Sequence, residues 1–192
     1  MRFGPAQASI GMTSQNAAHA AAREAPIGPS AARRLVEDAH ARHATTLAGF
    51  ARSLGLDDDE AWDVVQDAHV RLWQQLTDGT EIRDARAWLV GTVYRGAMDR
   101  HRLARRVREL RQRLLPPPAS AADAGVDRLS IWAAVDRLPT RQRAALYLHY
   151  RLDLPFDEVA AAMAVSPGGA RTLASRGLAA VKAEFASLEE LS

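Results

Sequence analysis

The chain has 192 residues, of which 47% are hydrophobic and 25% are charged, and its formal net charge is +2. This length allows one globular domain or two small ones. No apolar run approaches the roughly 18 residues of a membrane span, and the absence of cysteine excludes disulfides and thiolate metal sites, which fits a reducing cytoplasm.

The small net charge conceals two oppositely charged segments. Six acidic residues and no basic residue lie between Asp57 and Asp67. Seven arginines lie between Asp99 and Arg113, against two acidic residues. Such blocks usually form solvated faces, but opposite blocks on neighbouring helices indicate separate surfaces. The acidic surface would suit a basic protein partner, and the arginine-rich surface would suit phosphate groups.

The first ordered element is predicted to be a long helix. Residues 1–29 show no sustained period and no secretory signal, and we expect a mobile tail. Apolar residues then recur at spacings of three and four from Leu35 to Leu54, which predicts a helix ending at Gly55. His40 and His43 lie one turn apart on it, but no third ligand is evident, so we expect no metal site.

The second helix is predicted from Asp58 to Leu76. Asp57 is suited to cap it, and Glu60 would complete a capping box. One broad apolar face is expected to be formed by Trp62, Val65, His69, Leu72, Trp73 and Leu76. The opposite face presents Asp63, Gln66, Asp67 and Arg71.

A third helix, capped by Asp84, is predicted to continue past Asp99 into the arginine-rich segment. Arginines so closely spaced repel one another, and a phosphate backbone would supply the counterion. The alternative is a solvated helix end, where arginine is favourable. Trp88 and Tyr94 could stack on unpaired bases or pack in the core.

Residues 115–125 are predicted to be a linker, because three consecutive prolines cannot continue a helix and the Ala, Ser and Gly that follow have nothing to pack. The linker separates two small helical domains, residues 30–114 and 126–192. We find no strand pattern, so the predicted fold class is all-α. In the second domain Thr140 is expected to cap a helix.

Two short helices near the end of the chain have the pattern of a helix-turn-helix. The first is predicted from Phe156 to Met163. Ser166 is a suitable N-cap for the second, with Pro167 at the first helical position. The polar, basic face of this second helix would suit the major groove and carries Arg171, Thr172, Ser175, Arg176 and Lys182. An αα-hairpin of an ordinary helical domain is the alternative.

Nothing in the sequence indicates an enzyme or a cofactor site. No glycine-rich loop follows a strand, and no serine, histidine and acid stand in a recognisable arrangement. The acids of the second helix lie on an open face and not in a pocket of the kind that active sites provide.

Three segments in this order closely resemble the extracytoplasmic-function (ECF) sigma factors of bacteria: AWDVVQDAHVRLWQQL, RAWLVGTVYRGAMDRHRLARR, and, after the proline-rich linker, VDRLPTRQRAALYLHYRLDLPFDEVAAAMAVSPGGARTLASRGLAAVKAEF. The resemblance extends over residues 30–185. It implies a cytoplasmic protein that binds core RNA polymerase and directs it to specific promoters.

The resemblance also implies roles for individual residues. Docking on the β′ clamp helices of the polymerase would involve Asp63, Gln66, Asp67, Arg71 and Trp73. Melting and reading of the −10 element would involve Tyr94, Arg95, Asp99, Arg100, Arg102, Arg105 and Arg106. Reading of the −35 element would involve Ser166, Gly168, Arg171, Thr172, Ser175, Arg176 and Lys182. The polymerase β flap and, by analogy, an anti-sigma factor would be further partners.

The chain departs from the family pattern at three places. Tyr94-Arg95 replaces the usual Arg-Asn of the melting helix, and Pro155 takes the place of a Ser or Thr cap. Gly168-Gly169-Ala170 replaces Gly-Thr-Val, so we expect a softer recognition helix, since a second glycine costs about 1 kcal/mol.

Two other functions remain open from the sequence. One is a DNA-binding regulator that never engages polymerase, against which the acidic second helix argues. The other is a helical interaction protein that has lost promoter recognition, for which the departures are the support.

Overall fold

The computed structural model describes residues 28–114 and 131–189, and within them every regular element is helical. The predicted linker, residues 115–125, lies outside these ranges. The elements are α1 (Pro29–Ser53), α2 (Asp58–Thr77), α3 (Ala85–Leu114), α4 (Ile131–Asp136), α5 (Thr140–Leu146), a π-helical turn (Tyr147–Arg151), α6 (Phe156–Met163) and α7 (Pro167–Glu189). We refer to α1–α3 as the first domain and to α4–α7 as the second.

Local signals fix the boundaries of the first domain's helices. α1 is followed by Gly55, whose φ of +95° suits glycine. At the start of α2 the Asp57 carboxylate accepts a hydrogen bond from the Glu60 amide at 2.8 Å. The Glu60 carboxylate accepts one from the Asp57 amide, as a capping box requires. Asp84 caps α3 by accepting from the Ala87 amide at 3.0 Å. These three boundaries confirm the sequence predictions.

The three helices of the first domain pack around a fully buried aliphatic and aromatic centre that includes Leu47, Phe50, Leu72 and Leu89. α3 crosses α2 closely at Gly96, where an added Cβ would lie 2.9 Å from Val64 Cγ1. Only a residue without a side chain permits that approach. The relative position of the two helices is therefore set by glycine at this crossing.

The second domain contains the predicted helix-turn-helix, with α6 and α7 as its two helices. The Ser166 hydroxyl accepts a hydrogen bond from the Gly169 amide at 3.1 Å, which confirms it as the cap of α7. Gly177 lets α7 approach α5, since a Cβ there would lie 2.9 Å from Leu146 Cδ1. The predicted Thr140 cap is wrong, because Pro139 occupies the N-cap position and Thr140 is the first helical residue.

The two domains are packed against each other in this structure and share one continuous core. The Phe50 ring of α1 lies 5.4 Å, between centroids, from the ring of Tyr147 in the π-helical turn. The Arg86 guanidinium at the start of α3 donates a hydrogen bond to the Leu152 carbonyl. This contact was not predictable from the sequence, since periodicity identifies a buried face but not the residues that cover it.

The turn between α6 and α7 depends on a left-handed residue that is not glycine. Ala164 ends α6 with φ 52° and ψ 50°. Its Cβ is unfavourable there by roughly 1 kcal/mol, which is why glycine is the usual residue at such a helix end. The side chain of Ala164 is exposed, so little packing compensates for the strain.

We therefore expect Ala164→Gly to raise the free energy of unfolding by about 0.5–1 kcal/mol. Urea denaturation followed by circular dichroism would measure the change. Ala161→Gly is the matched control, because Ala161 is an exposed residue within α6 and should lose about as much as Ala164→Gly gains. Equal effects of the two substitutions would contradict the strain at Ala164.

His69 is a buried histidine whose protonation the fold opposes. Its Nδ1 lies 2.7 Å from the Val65 carbonyl and donates to it, while Nε2 is buried without a partner among the described residues. Burial lowers the pKa of the His69 imidazole, and the nearby His40 and His43 act in the same direction. The ring of His40 lies 4.9 Å from that of His69.

The free energy of unfolding should consequently fall as the pH is lowered below about 6.5, the ordinary pKa of histidine. In that range the unfolded chain binds a proton that the folded chain binds less readily, so stability rises with pH. His69→Leu should flatten this dependence between pH 7 and pH 5 in urea denaturation. Parallel pH profiles of the original chain and the variant would rule out His69 as a source of the dependence.

Candidate nucleic-acid and protein interfaces

The outward face of α2 collects the residues predicted to bind a protein partner. Asp63, Gln66, Asp67, Arg71 and Trp73 are all exposed. They lie on one side of the helix because its buried residues occupy the opposite arc, which faces α1 and α3. The structure thus brings the whole predicted set onto one accessible surface.

Two tryptophans on this face correct the sequence prediction. Trp62 and Trp73 were predicted to share the broad apolar face with Val65 and Leu72, but they are 37% and 41% exposed. Val70, which the sequence analysis did not single out, is 54% exposed between them. The large apolar side chains provide contact area for a partner, and the acidic side chains around them provide charge. We call the surface of Trp62, Val70, Trp73 and their polar neighbours the α2 face.

An ion pair and a small cleft connect the α2 face with α3. Arg100 of α3 lies 3.5 Å from the carboxylate of Asp63. A cavity of about 180 Å³ between the helices is lined by residues that include Asp67, Arg71, Asp99 and Arg100. Residues predicted for protein binding and for DNA binding therefore meet at this edge of the first domain.

The second half of α3 carries exposed arginines, as predicted. Arg102 pairs with Asp99, and Arg105 lies 3.2 Å from Glu109. These pairs are more than half exposed on both sides, and such surface pairs contribute little free energy. The arginines are therefore available to exchange an acidic side chain for a phosphate at small cost. Arg95 and Arg106 are also exposed.

Apolar side chains share this half of α3 with the arginines. Leu103, Val107 and Leu110 are 62%, 43% and 58% exposed, at spacings of four and three that place them on one stripe. The helix beyond Asp99 is therefore amphipathic and not simply a charged solvated end.

Tyr94 does not present its ring to solvent, contrary to the interpretation that it could stack on a base. Only 5% of the residue is exposed. Burial raises the pKa of its hydroxyl, and the nearby positive charge of Arg141 in α5 opposes that rise. Because Arg141 belongs to the second domain, the Tyr94 hydroxyl lies near the contact between the domains. Its place in a −10 surface remains a prediction.

A cleft of about 330 Å³ lies between the start of α3 and α6. Trp88, Gly91 and Arg95 line it from the first domain, and Glu158 and Ala162 line it from the second. Trp88 is half-buried and packs against the core, which confirms the core interpretation of this residue.

The outward face of α7 presents the residues predicted to read the major groove. Each of the seven is exposed: Ser166, Gly168, Arg171, Thr172, Ser175, Arg176 and Lys182. The inner face is formed by small residues, with Ala170, Ala174 and Gly177 buried against the rest of the domain. Leu178 is 37% exposed.

Two residues of the α7 face already have contacts within the domain. The Arg171 guanidinium lies 5.6 Å from the ring centroid of Phe156 and 4.0 Å from the Asp157 carboxylate. The Thr172 hydroxyl donates to the Gly168 carbonyl at 2.8 Å. Arg171 is thus held over α6, extended across the start of the helix-turn-helix.

The glycines at the start of α7 differ in their surroundings. A Cβ at Gly168 would meet nothing within 4 Å, whereas one at Gly169 would lie 3.2 Å from the Ser166 hydroxyl. Gly169 therefore leaves room for the Ser166 cap. This offsets part of the loss of helix stability that is expected from a second glycine. Gly168 leaves the backbone open at the exposed end of the helix, where a phosphate could approach.

Within residues 28–114 and 131–189, no three acidic or histidine side chains are placed so that they could hold a metal ion. In the same ranges no helix has the length and apolar character needed to cross a membrane.

Two family models match the chain. Residues 39–107 match the model described as Sigma-70 region 2, and residues 128–181 match the model described as Sigma-70, region 4. The first match covers α2 and most of α3, and the second covers the helix-turn-helix. Together they include the α2 face, the arginine-rich helix as far as residue 107, and the α7 face except Lys182.

Curated relatives agree with these matches. The ECF RNA polymerase sigma factor SigL of Mycobacterium tuberculosis is 31% identical over 163 residues, which cover 82% of this chain and 90% of SigL. The ECF RNA polymerase sigma factor SigJ of the same organism is 36% identical over 137 residues, 65% of this chain. The matched region spans 43% of the length of SigJ.

A solved structure shares the architecture. The structure of CnrH in complex with the cytosolic domain of CnrY superposes with a TM-score of 0.59 and 25% identity, covering 83% of this chain and 92% of that one. CnrH of Cupriavidus metallidurans is itself described as an RNA polymerase sigma factor. The fold, the two family matches and the extensive similarity to SigL lead to one assignment: the chain belongs to the ECF RNA polymerase sigma factors, which direct RNA polymerase to specific promoters.

Proposed function

We propose that each of three exposed faces performs one part of the function of a sigma factor. The α2 face docks on the β′ clamp helices of core RNA polymerase, α3 opens and reads the −10 element, and α7 reads the −35 element. The observation that carries this proposal is the separation of an acidic, tryptophan-bearing face from two basic faces on different helices. The chain would act in the cytoplasm and catalyse no reaction itself.

The α2 face is suited to a protein partner. Trp62, Val70 and Trp73 give it exposed apolar area, and Asp63 and Asp67 give it negative charge. Tryptophans of this kind often contribute much of the binding energy at an interface, and the charge favours a basic partner. A regulator that only bound DNA would not require this surface.

The arginine-rich half of α3 is suited to DNA that is being opened. Arg102, Arg105 and Arg106 project into solvent where they can contact phosphates. The apolar stripe of Leu103, Val107 and Leu110 lies beside them and could pack against sugars or unstacked bases. Phosphate contacts and an apolar surface are both needed to hold a melted strand.

The α7 face is suited to the major groove of duplex DNA. Arg171 and Arg176 can donate to guanine edges or phosphates, and Ser175 can contact either. The positive end of the helix dipole and the open backbone at Gly168 favour a phosphate at the N-terminus. The β flap would hold this domain at the −35 element.

An anti-sigma factor is a further proposed partner. CnrH, whose structure is similar, was solved with the cytosolic domain of CnrY bound to it. Support in this chain comes from the exposed apolar stripe of α3, which a partner helix could cover.

Replacing both Arg105 and Arg106 with alanine should weaken DNA binding and lower the slope of log K against log salt by about 2, since each phosphate contact contributes close to 1. Fluorescence anisotropy of the holoenzyme on promoter DNA, at salt concentrations from about 50 to about 300 mM, would measure the slope. The double variant Arg33→Ala/Arg42→Ala is the control, because it removes the same charge from α1. An identical loss of slope in both double variants would refute a direct phosphate contact.

Replacing Arg171 and Arg176 with alanine should reduce transcription from promoters that need the −35 element by at least about tenfold, the effect of losing one good base contact. Co-purification with core polymerase should be unchanged, because the α2 face is intact. The measurements are run-off transcription and a pull-down, again with the α1 double variant as control. Loss of core binding with preserved promoter selectivity would mean that the roles of the two domains are reversed.

A further inference from the structure

Arg95 of α3 is held by a neutral side chain. Its Nη2 donates a hydrogen bond to the Thr92 hydroxyl at 2.9 Å. Three arginines that follow on α3 have carboxylates as partners: Arg100 with Asp63, Arg102 with Asp99, and Arg105 with Glu109. A hydroxyl can orient a guanidinium but cannot neutralise its charge, so the contact of Arg95 leaves that charge available to a ligand.

Two neighbours on the same helix fix the position of this guanidinium. Thr92 is only 4% exposed, and its own hydroxyl donates to the Trp88 carbonyl at 2.9 Å. Gly91 leaves free the space beside the guanidinium, because a Cβ at residue 91 would lie 3.2 Å from Arg95 Nη1. Arg95 is exposed to solvent, yet its guanidinium lies back along α3 in a defined orientation.

The fold itself does not require the bond between Arg95 and Thr92. The Thr92 hydroxyl is already satisfied as a donor by the Trp88 carbonyl, so its burial is compensated without Arg95. The bond therefore serves the orientation of Arg95. An arginine that is oriented before binding loses less side-chain freedom when a ligand is bound, and it favours ligands whose acceptors match its direction.

The chemistry of the free donors indicates which ligand suits Arg95. A guanidinium has five N–H donors in a planar fork, and Thr92 accepts from one of them. The O6 and N7 atoms of guanine are two acceptors at a fixed separation that match such a fork, whereas an asparagine at this position would match adenine. A phosphate presents oxygens in several directions and gains little from an oriented arginine. Guanine is therefore the base that this arrangement favours.

We infer that Arg95 is a specificity-determining residue that selects a guanine in the −10 element, and that Thr92 positions it. The inference rests on the proposed role of α3 in reading that element. Arg102, Arg105 and Arg106 then supply affinity through phosphates, which every DNA sequence carries. Arg95 supplies a preference among sequences, because it contacts the edge of a base.

Arg95→Asn tests the inference directly. The probes are forked DNA fragments made from a promoter that the original holoenzyme selects, in which each position of the −10 element carries each of the four bases in turn. Competition fluorescence anisotropy measures their affinities for the holoenzyme. The original holoenzyme should prefer guanine at one position by about tenfold, the discrimination expected of one bidentate base contact. Arg95→Asn should abolish that preference and leave the preferences at the other positions unchanged.

Arg102→Asn is the matched control, because it removes the same charge from an exposed position of the same helix. It should weaken binding to all fragments by a similar factor and lower the slope of log K against log salt by about 1, without changing a base preference. Base preferences of Arg95→Asn equal to those of the original holoenzyme would overturn the inference. A uniform loss of affinity like that of Arg102→Asn would also overturn it, since that result indicates a phosphate contact.

Thr92→Val tests the positioning role, because it removes the hydroxyl, keeps a side chain of similar volume and retains the charge of Arg95. The preference for guanine should fall several-fold while the salt slope stays unchanged, and Thr92→Ser should restore the preference by supplying the same hydroxyl. An unchanged preference in Thr92→Val would refute the positioning role.

The same measurements separate the inference from the proposed function on which it rests. If the original holoenzyme selects no −10 element, the proposed function of α3 fails and the inference fails with it. If it selects a −10 element in which no guanine preference depends on Arg95, the inference alone is overturned.

Discussion

The close crossing of α2 and α3 at Gly96 is the constraint on which the first domain depends. Without a side chain at this position, Val64 packs directly on the α3 backbone, and the two helices are held at one fixed separation. The ion pair of Arg100 and Asp63 lies near the same crossing. Under the roles proposed for them, the helix that binds polymerase and the helix that reads the −10 element are thus parts of one unit. Docking of α2 would then determine where α3 is placed on the promoter.

The second domain uses small residues in a similar way. Gly177 and Ala174 let α7 lie against α5, and Ala162 lets α6 lie against α3. The two contacts differ in consequence, since the first builds the helix-turn-helix and the second joins it to the other domain.

Local chemistry made much of the fold predictable. Asp57, Asp84 and Ser166 cap helices because each accepts a hydrogen bond from the amide three residues later. Residue types that can do so are recognisable in the sequence. The boundaries of α6 followed from its apolar period and the turn residues after it. Thr140 was misassigned because Pro139, immediately before it, takes the capping position, and a residue already inside the helix cannot act as its cap.

Exposure and long-range contacts were less predictable. Periodicity placed Trp62 and Trp73 on the apolar face of α2, but it could not tell that their edge of this face is left uncovered. The sequence did not decide whether Tyr94 stacks on an unpaired base or packs in the core, because its environment includes Arg141, a residue of the other domain. The site residues on α2 and α7 were identified through family resemblance and proved to be exposed, while their roles remain predictions.

The central claim is that this chain gives core RNA polymerase its promoter selectivity. Run-off transcription by purified core enzyme, with and without the chain, on promoter fragments that the reconstituted holoenzyme selects from a random DNA library, tests it most directly. We expect discrete transcripts that require the chain and that share a −10 and a −35 element. Equal transcription with and without the chain on every selected fragment would contradict it.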